Sequence, residues 1–113
     1  MVTVVFCYAQ CNEPKVQIGA VREGHTLTVN QANSVLEIMA NSEDCHGRVE
    51  FVILLDGNVA FKDAISIDYD ARTENILTRY LQQVARHYDR EGEIQKRNSI
   101  LCLLGAIALD DAE

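Results

Sequence analysis

Proline occurs once and glycine six times in 113 residues, which excludes collagen-like and linker-like chains. Tryptophan is absent, and three phenylalanines with four tyrosines leave few rings on which nucleic-acid bases could stack. Basic residues are scarce as well: Lys and Arg number 10 against 17 Asp and Glu, for a formal net charge of −7. Such a field repels phosphate and argues against non-specific binding of nucleic acid. Long apolar runs are also missing. The longest, residues 100–109 with Gly105 counted in, is about half of what a bilayer-spanning helix needs. No phosphate-cradling glycine loop, HExxH or GxSxG motif is present.

What is there is an ordinary globular composition, 48% hydrophobic and 24% charged. The length predicts a single domain over residues 1–113, burying roughly two thirds of its unfolded surface. The four cysteines are Cys7, Cys11, Cys45 and Cys102. The opening residues carry no basic stretch and no small-residue cleavage site. The sequence therefore predicts a cytoplasmic chain with reduced thiols and no native disulfide. Cys7 and Cys102 lie in apolar runs, where free cysteine behaves as a small hydrophobe.

Residues 2–8 are rich in β-branched and aromatic side chains and predict a strand that ends at the Asn12-Glu13-Pro14 turn. Residues 15–22 set Val16, Ile18 and Ala20 against Lys15, Gln17 and Gly19, a half-buried strand that would complete a hairpin. Thr28 and Gln31 have capping-box spacing, and Ala32, Val35, Leu36 and Met39 then mark one face of a helix ending near Asn41. A polar loop over 41–47 follows. Residues 48–55 predict a central strand that becomes continuously apolar after Glu50, and Asp56-Gly57 supplies the positive φ angles of a type I′ hairpin turn into residues 58–62. Ile65, Ile67 and Tyr69 alternate with Ser66, Asp68 and Asp70, as another strand or a continuation past a bulge at Asp63.

Residues 71–90 predict an amphipathic helix. Leu77, Tyr80, Leu81, Val84 and Tyr88 fall within an arc of about 100°. Asp70 is placed to cap its start, and Gly92 stands just past its end. Residues 93–109 fit either a helix or a strand buried on both faces, and their Leu and Ala content favours helix. Asp110 and Asp111 would sit badly at a helix C-terminus. The order ββαβββαα predicts an α+β two-layer sandwich, an antiparallel sheet of four to five strands with helices on one face.

Several groups are candidates for chemistry. Cys7 and Cys11 with Cys45 and His46 contain no second close pair, so neither a metal nor a cofactor is expected. Cys45 beside His46, or reached by His25 or His87, would make a thiol nucleophile with a base. Asp68 and Asp70 share a strand face and could hold Mg²⁺, or serve as a solvated acid and a helix cap.

The most specific feature is a stripe of arginines. Arg72, Arg79, Arg86 and Arg90 fall within about 40° of one another on the helical wheel, opposite the apolar face and with no acid among them. Each can make bidentate contacts to a carboxylate or a phosphate. The sequence thus predicts a small acidic protein-binding or regulatory protein of inhibitor, immunity or phage-antagonist type, without catalysis of its own. Its expected partner is another protein, met through the arginine stripe, and the apolar stretch 100–109 suggests a homodimer. The alternatives are a small enzyme using Cys45 with a histidine or Asp68 with Asp70, and a domain that senses a small ligand.

Overall fold

The computed structural model describes residues 1–11, 24–43, 45–67 and 74–111. In chain order the elements are β1 (Val2–Cys11), β2 (Leu27–Thr28), α1 (Val29–Ala40), β3 (Cys45–Leu55), β4 (Asn58–Ile67), α2 (Ile76–Arg90) and α3 (Ile94–Asp111). The strands form one antiparallel sheet in the order β2-β1-β3-β4. Alternation turns Val2, Val4 and Phe6 of β1 and Val49, Phe51 and Ile53 of β3 to one face. There they join Leu36 and Met39 of α1, Leu77 and Leu81 of α2, and Ile100, Leu103 and Ile107 of α3 in one core. The fold is α+β, with its helices against one face of the sheet.

Local chemistry accounts for the best-defined joints. Asp56 and Gly57 take φ angles of 51° and 84°, as a type I′ turn requires, and Leu55 pairs with Asn58 across them. At the start of α1 the Gln31 amide donates to Thr28 Oγ1 at 3.1 Å, and the Thr28 amide donates to Gln31 Oε1 at 3.0 Å, a complete capping box. Helix α2 ends in a Schellman motif. The Glu93 amide donates to the Tyr88 carbonyl at 2.9 Å, the Gly92 amide to that of Asp89 at 3.2 Å, and Gly92 has φ 73°.

Residues 94–111 are helical, as their Leu and Ala content favours. Asp110 does lie in the last turn of α3, where the helix dipole disfavours a carboxylate. Its Oδ2 accepts the Val2 amide at 2.6 Å, an offsetting charge-assisted bond between the first strand and the last helix.

Several expected boundaries move. Residues 58–67 are one strand, the continuation alternative, but the bulge is not at Asp63, which pairs regularly with Phe51. It falls at Ala60, because Ile53 pairs with Phe61 and Leu54 with Val59. Strand β1 runs on to Cys11, its register shifting at Cys7 so that Cys7 and Tyr8 are both exposed and Ala9 returns to the core. Strand β3 begins at Cys45, so the polar loop is shorter than 41–47 and does not carry Cys45 and His46.

Helix α2 begins at Ile76 rather than 71, and its N-cap is Asn75, in the left-handed region at φ 53°, rather than Asp70. The strand expected over 15–22 and the residues Asp68, Asp70 and Arg72 lie outside the described residues. Among the described residues, no helix is long and apolar enough to cross a membrane.

Candidate protein-binding face

The late start of α2 has its cause on α1. Asn33, 4% exposed, accepts the Leu77 amide on its Oδ1 at 2.8 Å and donates from Nδ2 to Thr78 Oγ1 at 3.2 Å. Glu37 Oε1 accepts the Asn75 amide at 3.3 Å. Two otherwise unpartnered amides at the start of the helix are thus satisfied by side chains of another helix, while Asn75 makes no side-chain cap of its own. Further along, Tyr80 packs edge-on to Phe51 with ring centroids 6.1 Å apart, and its hydroxyl donates to Asp63 Oδ2 at 2.5 Å. Burial first, then the hydrogen bond to Asp63 and that residue's charge, hold the phenol well above its ordinary value. It remains a neutral anchor and is no base.

With Leu77, Leu81 and Ala85 buried, the opposite side of α2 faces solvent. Arg79, Gln82, Gln83 and Arg86 line a shallow depression of about 330 Å³ there. Arg90 continues the row one turn on, and all three arginines are exposed. Among the described residues none of them makes an ion pair, whereas others do, Arg48–Glu50 at 3.2 Å among them. The nearest acid on the helix, Asp89, is engaged by Arg97 of α3 at 2.5 Å. Arg86 and Arg90, four residues apart, carry like charges on one face, a spacing that destabilises an isolated helix by about 0.2–0.5 kcal/mol. Arg90 and His87 recover part of this by standing in the last turn, at the negative end of the helix dipole.

A second depression, about 350 Å³, adjoins the row and is lined by Asp63, Tyr80, Gln83, Val84, His87 and Tyr88. The sequence pattern placed Gln83 beside the stripe but did not bring Asp63 to it. No local periodicity links a residue of β4 to a tyrosine 17 positions later. Among the described residues the remaining candidates form no site. Cys45 stands in register with Cys11 at the end of the β1–β3 ladder, and the side chains of Cys11, Cys45 and His46 lie outside the described residues. Cys7 and Cys102 are free and exposed on different elements. Among the described residues there is no group of three or more His, Cys, Asp or Glu side chains that could hold a metal ion. No protein-family model, no curated protein and no solved structure matches the chain.

Proposed function

We propose that this protein is a small cytoplasmic binding protein of regulatory or inhibitory type, which docks an acidic surface of another protein onto the arginine face of α2 and works as a self-associated pair. The observation that carries this reading is the row Arg79, Arg86 and Arg90, exposed and without ion pairs among the described residues, on a protein of net charge −7. A charged helix face that serves only solubility commonly carries acids at the neighbouring i,i+3 and i,i+4 positions. Around Arg79 and Arg86 the one acid at such a position is Asp89, which Arg97 of α3 takes up, and beyond Arg90 it is Glu93, past the helix end and paired with Lys96. Long amides and guanidinium groups over a shallow floor suit a rim of carboxylates, which arginine meets in bidentate pairs.

The test is affinity capture from the native host with wild-type protein and with the double variant Arg79→Glu, Arg86→Glu as baits. A partner retained by the first and lost by the second, with binding that weakens as salt rises, is the expected result. Equal capture by both baits would reduce the stripe to a solvated face.

A further inference from the structure

We propose that the outward face of α3 is covered by a second copy of the same chain, the two helices packing antiparallel about a two-fold axis that passes between Leu101 and Cys102. The inference rests on the self-association stated above and adds the face and the register. Its starting point is a mismatch between α3 and its place in the fold. A surface helix ordinarily confines its apolar residues to one stripe, and a helix apolar all round is a buried one. Helix α2 obeys the first pattern. Helix α3 buries Ile100, Leu103 and Ile107, yet on its opposite side leaves Ile94, Leu101 and Leu109 at 47%, 48% and 72% exposure. Asn98, Cys102, Gly105 and Ala108 share that side and are exposed too. These seven positions fall within about 120° on the helical wheel. No charged residue is among them.

Three arguments name a second copy as the occupant. The first is charge. Two molecules of net charge −7 repel, so they meet most cheaply through a neutral surface. The α2 face is excluded for this purpose, since it would set arginines against arginines.

The second is self-complementarity, which a two-fold interface demands. With the axis between Leu101 and Cys102, each Leu101 faces Cys102 of the partner subunit, Asn98 faces Gly105, and Ile94 faces Leu109. Large side chains thus meet small ones near the axis, where the backbones must approach, and two large ones meet at each end. The Asn98 carbonyl oxygen already accepts from Arg97 at 3.1 Å, so covering it leaves that oxygen partnered.

The third is area. A helix of 18 residues is about 27 Å long and 10 Å across. Pairing along its length covers a strip of about 270 Å² on each copy, the size of a weak pair that forms at micromolar concentration rather than of a permanent one.

Sedimentation equilibrium at tens of micromolar tests association, and is expected to give twice the chain mass. Leu101→Glu places two carboxylates beside the axis and is expected to weaken the dimer at least 100-fold. Its circular dichroism should match wild type, because the side chain is half exposed. Leu109→Glu gives the same answer from a still more exposed position. Disulfide trapping with diamide reads the register. In a Cys7→Ser, Cys11→Ser, Cys45→Ser, Cys102→Ser background, Ile94→Cys chains mixed with Leu109→Cys chains should cross-link, and Ile94→Cys chains alone should not. A monomer would overturn the self-association reading and this inference together. A dimer indifferent to both charge substitutions would overturn this inference alone, as would Ile94→Cys chains that cross-link to one another.

Discussion

Asn33 of α1 and Leu77 of α2, 44 positions apart in sequence, are joined by a buried hydrogen bond of 2.8 Å from the Leu77 amide to the Asn33 side-chain oxygen. One amide side chain therefore decides where the second helix begins and locks it to the first. Asn33→Leu leaves the Leu77 amide buried without a partner, which costs about 1–3 kcal/mol. Urea denaturation should show that loss, together with faster hydrogen exchange at residues 76–79. A change below about 0.5 kcal/mol would mean that water or another side chain takes over the role.

The capping box at Thr28 predicts a smaller loss. Thr28→Ala removes the acceptor for the Gln31 amide and is expected to cost about 1 kcal/mol. Thr28→Ser keeps that acceptor and should stay close to wild type in the same thermal melt.

Gly92 tests the backbone alone. It has φ 73°, and a Cβ built there meets nothing within 4 Å. Any penalty for Gly92→Ala is therefore conformational, about 1–2 kcal/mol for an L-residue in the left-handed region. Gly92→Asn should lose less, since asparagine visits that region more readily. Equal losses would show that side-chain contacts decide the matter.

The Tyr80–Asp63 bond carries a pH signature. The folded phenol titrates above its ordinary value of 10.0. The bond's contribution is therefore complete below about pH 10 and is lost as pH rises from there through the raised folded value. The stability advantage of wild type over Tyr80→Phe should be constant between pH 6 and 9 and shrink above pH 10. An advantage that persists unchanged at pH 11 would mean that the phenol ionises alike in the folded and unfolded chain, so that Asp63 and burial do not hold its proton.

The arginine face predicts independence of folding from binding. Because Arg79 and Arg86 are exposed and form no ion pairs among the described residues, reversing each should change stability by no more than about 0.5 kcal/mol. Partner binding should collapse. Arg→Lys at both positions then separates the contributions: retained affinity would indicate long-range attraction, and lost affinity bidentate geometry.

Features held by neighbouring residues were legible in the sequence. The Asp56-Gly57 turn, the Thr28/Gln31 box and the α2 glycine stop each depend on a few consecutive residues whose chemistry prescribes the backbone. The outward direction of Arg79, Arg86 and Arg90 followed from periodicity for the same reason. What escaped depends on distant partners. The start of α2 is held by Asn33 and Glu37, which no local pattern can show, whereas Asp70 stands just before the periodic stretch 71–90. The bulge falls at Ala60 rather than at the charged Asp63, where the pairing of β4 with β3 stays regular. The engagement of Asp89 by Arg97, which removes the one acid of α2 beside the stripe, also waits on the packing of α3 against α2.

The bond from the Val2 amide to Asp110 has a consequence for the time course of folding. Strand β1 is made before the other strands of the sheet, and its long ladder is with β3, more than thirty residues further on. Its opening amide finds its acceptor only in the final turn of α3. A contact map weighted toward such distant pairs slows the search for the native state, because loop closure is spent before the ladder rewards it. The chain should accordingly fold in milliseconds to seconds, more slowly than a helical bundle of equal length. During synthesis on the ribosome β1 has among the described strands only the two-residue β2 to pair with, and its other edge stays open to other chains until β3 has emerged.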